Sequence, residues 1–557
     1  MYSIRRVSLL VLSCVILLTD NASAAFPSRI VARTRGFNEF SVPQVLGGGR
    51  FVDIETFSFN GQGDLLFAGP GSTFGRGGIW RVEPTGPVVQ TFSLDETTSP
   101  GLRLDRINES SVSVGSGGTA FLANSDNVFG PWIDPTDGAP QLIASASRDE
   151  PTIGPRLGPG VVFQTVDPQT QFPSNEAFLG LVINDSNIAA FRGQLRGTNI
   201  NFRNDRGIWL WDEGQLRVIA RGGTAGAQGP QLADGSLFGN FNSRLHIDNQ
   251  GRVGFSANAD STVGVWQFDG AMNVPIVVSG TDGPLGPGLG AGVEIANASL
   301  FGMTNDGVMA IAGQLDDASR TGYIIRADGQ SKEVIAMAGT NGPMGPGFGN
   351  ETWRFVGTPA IASNGQMSFS GQLSQSGSAL WKLTPSGVEP FATQTLSGPL
   401  GPGLGDGVAF SVFVGDHTIN SSGQTAFMAR LGGVGIDSTN NFGLWAHHEG
   451  RNVLIARKGD LVDTDPTEAE LFKTVADIHT FGFFGSLQRS GSLQASGGEG
   501  GAVRWLNDAG ELAYLLEFTD GSVGLFVAKI PEPTTLMVAL VMVLTGVGSR
   551  SRGHQSR

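Results

Sequence analysis

Cysteine is nearly absent: the one thiol, Cys14, sits in an apolar run near the front of the chain, and no second follows in 557 residues. The body beyond that run therefore has no disulfide, thiol nucleophile or cysteine-ligated metal, and must be held by burial and backbone pairing. Charge is sparse too. Only 15% of residues carry it, and acids outnumber bases 50 to 36, a formal net charge of −14. An acidic surface repels phosphates, which argues against nucleic acid and anionic lipid as partners of the body. Sustained helical periodicity is missing as well. What abounds is glycine and proline, 83 and 28 residues. A chain this long exceeds one ordinary compact core unless its architecture is repetitive.

The front of the chain has the order of a cleavable leader. Arg5 and Arg6 precede the apolar run Leu9 to Leu18, and the small residues Ala22, Ser23 and Ala24 precede Ala25. This order predicts residues 1–24 as a signal peptide cut between Ala24 and Ala25, with Cys14 as filler inside it. The back of the chain reads Pro531, Glu532, Pro533, then an apolar stretch from Leu536 to Val547, then Arg550 and Arg552. The basic residues suit the cytoplasmic end of a short membrane helix.

Between the ends, residues 25–529, runs an internal repeat with a period of about sixty residues. Its first element ends in an aromatic or apolar residue, usually with glycine four positions earlier and Asn or Asp three before that. Asn420, Gly423, Ala426 and Phe427 show it most completely; Asn60, Gly63 and Phe67 and Asp248, Gly251 and Phe255 are further copies. In Asn184–Phe191, Asn187 stands in the glycine place, as a left-handed turn position allows. A second element follows, a small residue, an apolar one and usually tryptophan, as in Gly207-Ile208-Trp209, Gly264-Val265-Trp266, Gly322-Tyr323-Ile324 and Gly443-Leu444-Trp445. A third strand such as Leu454-Ile455-Ala456 comes next, then loops of the type Gly283-Pro284-Leu285-Gly286-Pro287-Gly288 and a last apolar segment.

About four short strands per unit, with turn residues at each junction, predict an all-β, propeller-like ring of about eight four-stranded repeats. The ends are out of phase: Arg29-Ile30-Val31-Ala32-Arg33 matches the third strand, whereas the final unit stops at Phe526 after its first two. Pairing of the N- and C-terminal segments would then close the ring and hide its edges. A linear β-solenoid is the alternative. An insertion around residues 460–503 interrupts the spacing, with a short helix expected near Pro466 to Ala476.

The tail resembles the PEP-CTERM sorting signal, and the body resembles the tandem Asn-x-x-Gly-x-x-Ala-Phe repeat proteins of bacterial surfaces. Only Asn184–Phe191 and Asn420–Phe427 carry both the Asn and the Ala-Phe ending. The resemblance implies a Gram-negative-type bacterium, an exosortase-type enzyme processing the tail 530–557 near Pro531 to Pro533, contact with the membrane through the C-terminal helix, and an envelope polysaccharide as a further partner. It carries location and architecture and no chemistry.

Catalytic sets are not legible. His246, His417, His447, His448, His479 and His554 have no helical metal-ligand spacing and no nucleophile elbow beside them. His447 and His448 beside Glu449 read as a surface turn, since neighbours on a strand point to opposite faces. Asp205, Asp306, Asp328 and the group Asp460, Asp463, Asp465 and Glu468 read as turn builders; calcium is the one cofactor such oxygens suit. The Gly-Pro loops lack the Lys-Ser or Lys-Thr of a phosphate cradle and read as rigid turns, and the repeated tryptophans read as core. No catalytic, cofactor or metal residue is assigned. The sequence thus supports a non-catalytic binding or structural module of the bacterial surface or exopolysaccharide matrix. The other reading is an extracellular carbohydrate-active enzyme whose carboxylates meet only in the folded channel.

Overall fold

The computed structural model describes residues 28–33, 56–69, 78–82, 88–93, 104–125, 128–136, 138–146, 153–164, 178–316, 322–394, 398–464, 472–480 and 505–530. These form eight antiparallel sheets following one another along the chain, a β-propeller of eight blades. Blades 1 to 8 begin with the inner strands Thr56–Phe59, Leu104–Gly115, Phe178–Ile183, Phe238–Ile247, Ile295–Met303, Trp353–Ile361, Val408–Ile419 and Phe472–His479. From blade 1 to blade 7 each inner strand lies against the next, so their free edges border the central channel. Among the described residues there is no α-helix, only a 3-10 turn at Gly226–Gln228.

The two sequence elements meet inside each blade. Phe67 lies opposite Trp80, Phe191 opposite Trp209, Phe255 opposite Trp266 and Phe427 opposite Trp445 in the register of the second and third strands. The rings stack, with centroids 6.2 Å apart and planes 17° apart for Phe427 and Trp445. The small residue before the tryptophan makes room for its ring: a Cβ on Gly443 would sit 2.7 Å from the Trp445 side chain. In blades 4, 6 and 7 the Gly-Pro loop then caps an indole. Pro230, Pro346 and Pro402 carbonyls accept hydrogen bonds from the Nε1 of Trp266, Trp381 and Trp445 at 3.0, 3.2 and 3.1 Å.

Blade 5 departs from the expected alignment. Ile325, not Ile324, lies opposite Ile311, and Tyr323 takes the place of the small residue opposite Gly313. Gly313 is what allows it, since a Cβ there would lie 2.8 Å from the Tyr323 hydroxyl, which donates instead to Asn297 O at 2.9 Å.

The motif asparagine has two tasks. Asn420 Oδ1 accepts from the amides of Ser422 and Gln424 at 3.1 and 3.0 Å, closing its own turn, and Nδ2 reaches Asn507 O of blade 8 at 3.0 Å. Asn184 repeats this with Ser186, Ile188 and, in blade 4, Asp248 O at 2.7 Å. The glycine place is left-handed, φ 73° at Gly423, and Asn187 holds it at φ 63°.

Closure is as expected. Blade 8 is built from Phe472–His479, Glu511–Phe518 and Val523–Lys529, and its outer strand is Ser28–Arg33 from the other end of the chain. Across the seam one core joins Met428 and Leu444 of blade 7, Tyr514 and Phe526 of blade 8, and Phe67 and Trp80 of blade 1. The insertion begins as an added strand, Leu461–Asp463, on the channel side of Phe472–His479.

Two expectations are corrected. Phe472 to Ala476 belong to a strand rather than a helix. A bulge between Val475 and Asp477 brings the buried Val475 and Ile478 to one face, so a three-residue spacing that looks helical is met by an extended chain. Membrane contact through a C-terminal helix is also withdrawn: no helix among the described residues is long and apolar enough to cross a membrane. The physical reason lies in length, for Leu536 to Val547 would span only about 18 Å as a helix against a hydrocarbon core of about 30 Å. The partner set tied to that helix, with its exosortase-type enzyme and polysaccharide, loses its structural basis with it. Ala24, Ala25, Pro531, Glu532, Pro533, Arg550 and Arg552 lie outside the described residues, as do Pro466 to Leu471.

Candidate binding surface at the channel mouth

Antiparallel order gives the ring two unlike faces. Turns from inner to second strand, and from third to outer strand, share one face; connections from second to third strand, and from blade to blade, share the other. We call them the turn face and the loop face.

Near the loop face the inner strands carry a repeated irregularity. The ladder shifts between Phe238 and Phe241, Ile295 and Asn297, Trp353 and Phe355, Phe410 and Val412, and Val475 and Asp477, in blades 4 to 8. The residue before each shift is buried: Phe238, Ile295, Trp353, Phe410 and Val475 are at most 2% exposed. Several of these anchors press edge-on against the tryptophan of their own blade, Phe410 on Trp445 with centroids 5.0 Å apart and Trp353 on Trp381 at 4.2 Å. With the anchor fixed, the extra residue of the bulge breaks the alternation of faces beside it. Asn240, Asn297, Phe355 and Val412 are exposed there, with Arg354 beside them, and Asp477 is half-buried.

Some of this ring is tied down. Asn240 Oδ1 accepts from Arg206 Nη1 of blade 3 at 2.8 Å, and Asn297 exchanges hydrogen bonds with Gln314 at 3.0 and 3.2 Å. Arg244 lies over the Phe301 ring of the next blade, 5.8 Å from its centroid. Phe355 and Val412 remain 52% and 47% exposed, far beyond what core packing would leave. The mouth thus offers amides on one side and apolar surface with a guanidinium on the other.

The turn-face end of the channel is knotted instead. Asp185 of blade 3 accepts from Ser116 N of blade 2 at 2.8 Å and from Asn249 Nδ2 of blade 4 at 3.0 Å. Asp508 of blade 8 likewise accepts from Ser421 N of blade 7 at 2.8 Å and Ser363 Oγ of blade 6 at 2.6 Å. Each carboxylate joins three blades.

The residues weighed in the sequence are scattered. His447 is buried, with Nδ1 3.0 Å from Asn452 Oδ1, while His448 is partly exposed on the other face of the strand; only Glu449, at φ 51°, is in the turn. Burial first, then Lys382, pushes the His447 imidazole down to about 4. His246 is buried between blades 4 and 5 with neither ring nitrogen hydrogen-bonded, and burial, then Arg244, pushes it down to about 3. His479 is buried 3.4 Å from Glu517, and His554 lies outside the described residues. Asp328 takes the amides of Gln330 and Ser331 at 2.9 and 2.6 Å, and Asp460 takes that of Arg457 at 2.9 Å, as turn builders do. Burial raises the Asp460 carboxyl. Asp465 and Glu468 lie outside the described residues, and among the described ones no three metal-ligating side chains converge. The bulge ring was missed in the sequence. Its signal was there, an apolar anchor followed by two unlike residues just after each Gly-Pro loop, as in Trp353-Arg354-Phe355 and Phe410-Ser411-Val412.

The model of one family, DUF7453, described as a family of unknown function, matches residues 31–263 and again 164–537. No curated protein matches the sequence. Solved structures with some likeness include the β-propeller domain of the Trilobed protease from Pyrococcus furiosus, 10% identical with a TM-score of 0.35 over 74% of this chain and 100% of that one. The fungal Aleuria aurantia lectin, a six-bladed propeller, is 12% identical with a TM-score of 0.25 over 60% of this chain and 93% of its own. Trypanosoma rangeli sialidase is 11% identical with a TM-score of 0.24 over 94% of this chain and 63% of its own. Likeness at this level carries nothing about activity.

Proposed function

The chain belongs to the DUF7453 family, whose description assigns no activity, and from the geometry we propose that it is an exported, non-catalytic binding or structural propeller of the bacterial surface, working through its loop-face channel mouth. One observation carries this reading. In five successive blades the same device, a buried anchor and a bulge, sets exposed or half-buried residues of four kinds around one opening, whereas the repeated tryptophans and asparagines hold the blades together. A uniform frame with a varied rim is what a binding surface needs. Export is supported by the order of Arg5, Arg6, Leu9 to Leu18 and Ala22 to Ala25.

Two measurements test it. Intact mass of the protein from its native host should show an N terminus at or near Ala25; Met1 in the surface-exposed protein would refute export. The purified protein should show no turnover on a panel of glycans, esters and peptides, with or without calcium. Reproducible turnover that Asp477→Asn abolishes, with the melting temperature unmoved, would replace the binding reading by an enzymatic one.

A further inference from the structure

The loops joining second to third strand in blades 3 and 7 are the same object built twice. In blade 3, Asn201 N donates to Asn204 Oδ1 at 2.8 Å and Asn204 Nδ2 to Asn199 O at 3.0 Å. In blade 7, Asp437 N donates to Asn440 Oδ1 at 2.9 Å and Asn440 Nδ2 to Gly435 O at 3.0 Å. The left-handed residue recurs, Asn199 at φ 63° and Gly435 at φ 73°. So does the clamp beneath, where Arg221 and Arg457 Nε donate to the carbonyls of Asn204 and Asn440 at 3.4 and 2.7 Å. Blades 3 and 7 stand four apart in a closed ring of eight, which places the loops at opposite ends of a diameter on the loop face.

Their backbones match but their side chains are complementary. Phe202, 81% exposed, corresponds to Ser438, and Val434, 76% exposed, corresponds to Thr198. Arg203 is the only charge in 198–204, and Asp437 the only charge in 434–440. Arg203 lies against Phe202, 5.7 Å from the ring centroid. Around these tips the same face carries Phe355, Val412, Leu461 and Phe472, so that of the exposed large apolar side chains among the described residues only Met272 is on the turn face.

We infer that the loop face is a self-association surface, on which a second copy of this chain docks face to face. A two-fold axis perpendicular both to the channel and to the blade 3–blade 7 diameter brings the blade 3 loop of each copy onto the blade 7 loop of the other. Bulky Phe202 then meets small Ser438, and Arg203 meets Asp437, twice per dimer, as an isologous interface requires. Apolar tips supply the attraction; the unlike charges set which loop meets which. The two channel mouths face each other inside the pair. The dimer face shares Phe355 and Val412 with the rim proposed above to bind, whereas Phe202, Arg203, Asp437 and Ser438 belong to the dimer contact alone.

Sedimentation velocity on the full-length protein over a range of concentrations tests it. A monomer–dimer equilibrium is expected, with Phe202→Asp and Arg203→Glu each weakening it by about tenfold or more. The exchange of charges, Arg203→Asp with Asp437→Arg, should return the affinity to within about threefold of the starting protein. Unchanged circular dichroism and melting temperature would show that the variants fold: the Asn204 and Asn440 staples are untouched, and Asp437→Arg gives up the bonds that Asp437 Oδ1 accepts from Thr439 N and Oγ1. A protein that stays monomeric to about 100 µM, or a dimer indifferent to these substitutions, would overturn the proposal, as would an exchange that fails to rescue.

Discussion

Ser28 lies directly opposite Ala528 in the antiparallel pair that closes the ring, and the hydroxyl of Tyr514 donates to Ser28 Oγ at 3.0 Å. The first described residue of the body is thus held by its last strands. Val31 and Ala32, 2% and 1% exposed, join the core beneath that seam.

Deleting Ser28–Arg33 should therefore open the ring, although these residues lie far in sequence from the blade they complete. The edge of Val523–Lys529 would lose its partner and offer unpaired backbone to other chains. Light scattering on heating should show aggregation at a lower temperature than for the intact protein. Unchanged melting behaviour would mean that the seam is dispensable.

The indole caps make a graded test of the blade core. Trp445 is fully buried, stacked on Phe427 and hydrogen-bonded to Pro402 O. Trp445→Ala should cost roughly 3 to 5 kcal/mol, the range for removing a large core side chain. Trp445→Phe keeps most of the packing but leaves the Pro402 carbonyl without its donor, at about 1 to 3 kcal/mol. Urea unfolding measures both, and equal losses would show that the cap contributes nothing.

The architecture was legible because its cause is repeated. A Phe–Trp stack, a left-handed glycine and a Val-Ile-Ala outer strand recur in phase, and even the split blade could be read from Arg29-Ile30-Val31-Ala32-Arg33. The candidate site was not legible, for the same reason reversed: Asn240, Asn297, Phe355, Val412 and Asp477 occupy one structural position with five residues of four chemical kinds. Only the bulge makes them equivalent, and what marks it in the sequence is the apolar anchor before it, not the residues it exposes. The Val475–Ile478 spacing shows the cost to inference, since a shifted ladder imitates helical period.

Asn420 separates the turn from the clamp. Asn420→Asp keeps the acceptor for Ser422 and Gln424 amides but removes the Nδ2 donor to Asn507 O and sets a carboxylate against that carbonyl. Asn420→Ala removes both. Leaving a buried carbonyl unpaired costs about 1 to 3 kcal/mol, and the aspartate adds a buried charge to that loss. Thermal unfolding should rank the natural residue above both variants. An aspartate variant as stable as the starting protein would show that blades 7 and 8 do not rely on this bond.

Acid should weaken the ring through its buried imidazoles. His246 and His447 are pushed down from an ordinary 6.5 to about 3 and about 4, chiefly by burial. The sign follows from proton uptake: above pH 6.5 both folded and unfolded imidazoles are neutral, and no stability depends on pH through them. Between 6.5 and the folded values, the unfolded chain binds the proton and the folded chain does not, so stability falls as pH falls. At about pH 5 each fully buried group would contribute a loss of about 2 kcal/mol. His246, with no hydrogen bond to either nitrogen and Arg244 as its charged neighbour, is the cleaner of the two. His246→Leu should make the urea midpoint less steep between pH 7 and pH 4 while costing little at pH 7, because the site loses no polar partner. A variant whose midpoint falls with pH as steeply as that of the natural chain would show that His246 titrates freely and that the seam between blades 4 and 5 admits water.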